Sequence, residues 1–152
     1  MNLVDIITLS FPDAKSLVDF EITENEKGTF ISFWNEETLG TKPTESELQA
    51  LANQHQADYD NKQNLKLRKK YGNALQLHID QIAQSKDYKD SNSCASYVNS
   101  TNLVWKTESI AFVAWRDTVW SYAYQVLDDV INNGATLPSV NEFIANAPVI
   151  TW

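Results

Sequence analysis

The stretch TESIAFVAWRDTVWSYAYQVLDDVINN, residues 107–133, decides the fold class of this chain. Its polar side chains recur at helical spacing and form one narrow seam, at Asp117, Ser121, Gln125, Asp128 and Asn132. Most other positions are apolar, so the pattern predicts a long α-helix that ends at the capping residue Gly134. A surface helix buries a stripe of roughly 100°. We therefore expect this helix either to be the central helix of its own core or to leave part of its surface for a partner.

Two other helices are predicted by capping signals. Thr44 followed by Glu47 forms a capping box, and apolar residues recur behind it as far as Ile82, which predicts a second long helix. Gly72 costs about 1 kcal/mol inside a helix, so we expect a bend or break there. Ser139 with Glu142 repeats the box and predicts a short helix that ends before Pro148. No capping signal fixes the start of the helix that contains residues 107–133. We expect it to begin between Ser93 and Thr107.

The N-terminal region is predicted to be smaller and mixed. Residues 2–9 begin with a capping pattern and favour a short helix before Pro12, although their β-branched content leaves a strand open. Apolar and acidic residues then alternate, and after the polar turn at 23–28 a second apolar run follows at 29–34, which predicts a β-hairpin. We expect one apolar face of this hairpin to pack on the start of the helix at Thr44. The residues of that face are Val18, Phe20, Phe30 and Phe33.

The predicted fold is therefore α+β and mostly α. A helix and β-hairpin unit covers residues 1–42, and a helical part with two long helices and a short C-terminal helix covers residues 43–152.

Charge and hydropathy argue against nucleic acid and membrane as partners. The net charge is −8, with −9 on residues 1–60, +5 on residues 61–106 and −4 on residues 107–152. Five bases between Lys62 and Lys70 are typical of nucleic-acid contact or of a solvated helix face. We favour the solvated face, since the overall acidity repels phosphate and no RNA-binding pattern accompanies the bases. No stretch approaches the roughly 20 apolar residues that span a bilayer, and the N-terminus lacks a basic leader pattern.

No catalytic or metal-binding constellation stands out in the sequence. Cys94 is the single cysteine, and His55 and His78 have no ligand-spaced neighbours. Phosphate loops, nucleophile elbows and dinucleotide fingerprints are missing. We therefore expect a protein that is not an enzyme and that holds no cofactor and no metal.

Aromatic residues are the main candidates for a binding role. Large aromatic and arginine side chains dominate protein interfaces, although most tryptophans pack in cores. Arg116 lies beside Trp115 and one turn before Trp120, and Tyr124 follows one turn later. We predict a partner-binding site at Trp115, Arg116, Trp120 and Tyr124.

Two groups of residues resemble small phage proteins encoded beside tail-fibre genes, the tail-fibre assembly chaperone family. The first group is Ile7, Phe11-Pro12-Asp13-Ala14, Asp19-Phe20-Glu21, Gly28, Ile31, Trp34-Asn35, Pro43-Thr44 and Glu47-Leu48. The second is Trp115-Arg116-Asp117, Val119-Trp120, Tyr122, Val126, Val130, Gly134, Pro138 and Phe143. Residues 53–105 carry no motif of this family.

The resemblance implies a chaperone in the cytoplasm of the infected bacterium. Such a protein would bind the phage tail-fibre polypeptide and assist its folding until it trimerises. Two other functions remain open from the sequence. One is a minor structural component of the tail or baseplate that stays in the virion, and the other is a nucleic-acid-binding regulator acting through Lys62 to Lys70.

Overall fold

The computed structural model describes residues 1–26 and 28–152. Contacts within the chain divide it into two compact units, Met1–Gln63 and Asn64–Trp152. The fold is mostly helical with one small antiparallel hairpin, which confirms the predicted class. The dividing point lies inside a long helix, whereas the sequence suggested a boundary after residue 42. That earlier boundary stays a prediction.

The first unit begins with helix α1, Leu3–Ser10. The Asp5 backbone N–H donates to the Asn2 side chain at 2.9 Å, and the Asn2 N–H donates to the Asp5 carboxylate at 3.2 Å. This reciprocal capping satisfies donors that a helix start leaves unpaired. It accounts for the helix forming despite the β-branched residues, and the helix prediction is confirmed.

The hairpin consists of strands β1, Phe20–Asn25, and β2, Gly28–Trp34, which pair antiparallel. Gly28 has a φ of +116°, a backbone conformation that favours glycine. The hairpin prediction is confirmed, while Lys27 of the predicted turn lies outside the described residues. Asn35 then caps the short helix α2, Glu36–Leu39.

The predicted inward face of the hairpin is wrong at three of its four positions. Phe20 is buried as expected, but Val18, Phe30 and Phe33 are exposed. The hairpin residues in the core of this unit are instead Phe20, Ile31 and Trp34. The expected contact with the following helix does form, because Leu48 packs against this core.

The pairing of Phe20 with Trp34 and a β-bulge next to it together set the observed face. Glu21 pairs with Phe33 and Ile22 pairs with Ile31, so Ser32 is an extra residue in β2. Side chains alternate strictly along a regular strand, and one extra residue moves those that follow it to the other face. Ile31 and Trp34 therefore share the buried face, and Phe33 lies on the exposed one.

Helix α3, Glu45–Gln84, begins in the first unit and ends in the second. Its predicted capping box is present, since the Thr44 N–H donates to the Glu47 carboxylate at 2.8 Å. A break at Gly72 is wrong, because α3 is continuous through it, while the alternative of a bend stays a prediction. Residues one turn apart, from Tyr71 to Ala83, are buried in the core, and this packing outweighs the weak helix preference of one glycine.

The second unit continues with helix α4, Ser91–Ser96, and a short 3-10 turn, Tyr97–Asn99. Helix α5, Leu103–Asn133, follows and begins at the N-cap Asn102, within the predicted interval. It ends at Gly134, whose φ of +69° is left-handed, as the C-cap prediction required.

Helix α5 is the central helix of the second unit. Its five predicted seam residues are all exposed, and the opposite stripe is buried against α3 and the C-terminal segment. The buried residues of α5 are Ser109, Phe112, Trp115, Val119, Ala123 and Leu127. The first of the two alternatives for this helix is therefore confirmed.

Aromatic donors hold the C-terminal segment, which contains helix α6, Val140–Ala145. The Tyr71 hydroxyl donates to the carbonyl of Pro138, and the Tyr122 hydroxyl donates to that of Phe143 at 3.0 Å. The Trp115 indole N–H donates to the Pro148 carbonyl at 2.7 Å. Each bond gives the hydroxyl or indole N–H of an aromatic side chain a partner that it would otherwise lack in the protein interior.

The capping box of α6 leads to a pH-dependent stability. Hydrogen bonds from the Ser139 hydroxyl and backbone N–H lower the pKa of Glu142. A lowered folded-state pKa stabilises the protein above the ordinary glutamate value, and this stability is lost as the pH falls through the folded value. We expect the melting-temperature difference between wild type and Glu142→Gln to be largest near about pH 7 and to close below about pH 4. A difference that stays constant over this range would contradict the prediction.

Candidate partner-binding surfaces

Trp115, the first predicted site residue, lies in the core of the second unit. It is only 6% exposed, and its ring packs 5.5 Å from that of Phe112 and 6.1 Å from that of His78. Its N–H is bonded to Pro148. The indole therefore offers almost no area to a partner.

Arg116, Trp120 and Tyr124 form a row on α5 at spacings of one turn, and we call them the α5 ridge. The rings of Trp120 and Tyr124 are 5.9 Å apart. Trp120 is half-buried beside Gly72 of α3, and Tyr124 is 61% exposed. The Arg116 guanidinium lies 3.7 Å from the Asp117 carboxylate. The structure thus brings these three predicted residues together on one accessible ridge.

The first unit also has four exposed apolar residues in its hairpin region, which we call the hairpin face: Leu17 and Val18 just before β1, and Phe30 and Phe33 on β2. Leu17 is 78% exposed and Phe33 is 44% exposed. Leu17 also has a φ of +67°, a left-handed conformation that costs a residue with a side chain about 1–2 kcal/mol. Its N–H donates to the Phe20 carbonyl at 2.9 Å, which helps to hold this conformation.

Sequence reasoning missed the hairpin face because three of its residues, Val18, Phe30 and Phe33, were expected in the core. No local signal distinguishes the two faces, since the bulge at Ser32 follows from pairing between strands. Acidic residues lie close to these residues: Glu21 is paired with Phe33 across the hairpin, and Glu24 and Glu26 near the turn are also exposed. The hairpin face is therefore apolar with acidic residues nearby.

His78 and Cys94 are packed within the second unit, and His55 is half-buried on α3. His78 contacts Trp115, and burial lowers its pKa. Cys94 is fully buried, and burial together with the Glu108 charge raises the pKa of its thiol to about 11, so it is protonated at neutral pH. Within residues 1–26 and 28–152 no three side chains of the metal-ligating types come together, and no helix is long and apolar enough to cross a bilayer.

Comparison with protein families gives one finding for the first unit. Residues 3–60 match the XkdW protein family. This is a family of small phage-associated proteins, and the match supports a phage protein. Searches of curated proteins and of solved structures give no match.

The XkdW match covers the first unit almost completely and includes the whole hairpin face. The α5 ridge lies outside the matched residues. The part of the chain that is similar to XkdW proteins is therefore the part with the exposed face that the sequence did not predict.

Proposed function

We propose that this chain is a bacteriophage tail-fibre assembly chaperone. In this proposal it binds the fibre polypeptide in the cytoplasm of the host bacterium, assists its folding and trimerisation, and acts by binding alone without a cofactor. The hairpin face carries the proposal, because its apolar side chains are exposed in the segment that matches a phage protein family.

The chemistry of the hairpin face suits an unassembled fibre chain. β-rich chains expose apolar side chains and unpaired strand edges before they trimerise, and they aggregate through both. An exposed apolar face with acidic residues nearby can cover such side chains while their charges keep the complex in solution. The α5 ridge adds an aromatic pair and an arginine, the residue types that most often anchor protein interfaces.

Co-expression with the fibre polypeptide followed by a pull-down tests the hairpin face. We expect Phe30→Ser with Phe33→Ser to weaken capture roughly thirtyfold or more, since loss of an aromatic anchor typically costs about 2 kcal/mol or more. Leu65→Ser is the matched control, because Leu65 is a comparably exposed apolar residue outside both surfaces. Equal capture by the double variant and the control would contradict this role of the hairpin face.

The α5 ridge is tested separately with Trp120→Ala, Tyr124→Ala and Arg116→Ala. We expect each to weaken capture while the melting temperature changes little for Tyr124→Ala and Arg116→Ala, whose side chains are more exposed. Unchanged capture by these two variants would remove the ridge from the interface. Retention of the chain in purified virions at a fixed ratio, without any effect on fibre solubility, would contradict the chaperone and favour a tail component.

A further inference from the structure

A pocket of about 450 Å³ lies where the end of α3, the α4 region and the start of α5 meet. Three aromatic residues line it: Tyr88, Tyr97 and Trp105. The Tyr97 ring contacts both of the others, with its centroid 5.7 Å from that of Tyr88 and 5.4 Å from that of Trp105. The Trp105 ring is the most accessible of the three, at 47% exposed. Pockets of this size hold small groups or single side chains.

Four charged residues line the pocket, of which Asp87 and Lys89 are exposed while Glu108 is paired with Lys86. The Glu108 side chain is about one-fifth exposed, and the Tyr88 hydroxyl donates to one of its oxygens at 2.9 Å. The other oxygen lies 3.2 Å from the Lys86 ammonium. A carboxylate offers about four acceptor positions, so these two bonds leave room for another donor.

The neighbouring contact shows how this end of the unit holds a cation. The Lys86 ammonium is bound by Glu108 and also lies 5.2 Å from the centre of the Trp152 ring. One cation, the Lys86 ammonium, is therefore already held here between a carboxylate and an aromatic ring. Tyr97 and Trp105 line the pocket together with the same carboxylate.

We propose that this pocket binds the side chain of an arginine or lysine from a partner polypeptide. The ring faces carry negative electrostatic potential and attract a cation, and Glu108 accepts its hydrogen bonds. Arginine fits best, since a planar guanidinium can stack on an aromatic ring while it donates to a carboxylate.

Other occupants fit the pocket less well. An anion would meet both the Glu108 carboxylate and the ring faces. Of the two lysines in the lining, Lys86 is already engaged by Glu108 and Trp152, and Lys89 is exposed to solvent, as is the neighbouring acid Asp87.

A free amine would make no contact with the apolar residues next to the pocket. Leu103 and Val104, which precede Trp105 in the chain, are large, apolar and exposed. These two residues suit apolar side chains that flank the basic one in a polypeptide.

Blocked tripeptides test this proposal on the intact protein, without any fibre chain. We would titrate acetylated, amidated Leu-Arg-Leu, Leu-Gln-Leu and Leu-Glu-Leu and follow the Trp105 indole N–H by NMR, assigned with Trp105→Phe. We expect the arginine peptide to bind about tenfold more tightly than the glutamine peptide. Equal binding of the arginine and glutamine peptides, tighter binding of the glutamate peptide, or no response to any of them would overturn the proposal.

Two variants and one small molecule sharpen the test. Glu108→Gln keeps an acceptor for Tyr88 but loses the charge, and Trp105→Leu keeps apolar bulk but loses the ring face. Each is expected to reduce the preference for arginine over glutamine severalfold, whereas Asp117→Asn, an exposed charge further along α5, leaves it unchanged. An unchanged preference in both pocket variants overturns the proposal. Butylguanidinium that binds as tightly as the arginine peptide would overturn the assignment to a polypeptide.

Discussion

Phe143→Ala is expected to destabilise the second unit by about 3–5 kcal/mol, the range for truncating a fully buried phenylalanine. Phe143 is completely buried, with the Tyr71 ring edge-on at 5.1 Å and the Tyr122 ring stacked at 5.3 Å. Alanine would leave a cavity between two tyrosines whose hydroxyls are fixed by bonds to the C-terminal segment. Those rings cannot move into the space without losing these bonds.

Urea unfolding followed by near-ultraviolet circular dichroism measures this effect. Tyr124→Ala is the matched control, because it removes a mostly exposed aromatic side chain from the same unit and is expected to cost less than about 1 kcal/mol. Similar losses for the two variants would show that Phe143 does not occupy the centre of this core.

Phe20→Ala is expected to destabilise the first unit by about 3–5 kcal/mol, while Phe33→Ala costs less than about 1 kcal/mol. The two phenylalanines lie on paired strands, but Phe20 is fully buried beside Trp34 and Phe33 is on the exposed face. The difference follows from the strand pairing: Phe20 pairs with Trp34 on the buried face, and Phe33, the neighbour of Trp34, lies on the opposite face.

Hydrogen exchange of amides in residues 1–63 measures the stability of the first unit without interference from the second. The hairpin amides are the reporters, and Phe33→Ala serves as the control for Phe20→Ala. A larger loss of protection in Phe33→Ala than in Phe20→Ala would contradict the observed strand pairing. It would favour the buried face that the sequence pattern predicted.

The helix starts could be predicted because their causes are local. In each capping box, at Asn2 with Asp5, Thr44 with Glu47 and Ser139 with Glu142, the two partners are three residues apart. The left-handed cap at Gly134 is equally local. Such signals depend on one turn of backbone and do not require knowledge of what packs on the helix.

The continuity of α3 could not be predicted in the same way. Gly72 weakens a helix locally, yet the residues on either side are fixed by the core. A cost of about 1 kcal/mol is small beside the burial of Tyr71, Leu75 and Ile79, which only the folded chain provides.

By itself, the sequence determined the class of the fold, the starts of α1, α3 and α6, the cap at Gly134 and the polar seam of α5, because periodicity and capping act over a few residues. Only the tertiary structure decided which apolar residues remain exposed. The bulge at Ser32 arises from pairing between strands, and it places Ile31 on the same buried face as Trp34 and leaves Phe30 exposed. Trp115 is buried and Tyr124 is exposed on the same helix, because burial depends on where α3 and the C-terminal segment pack.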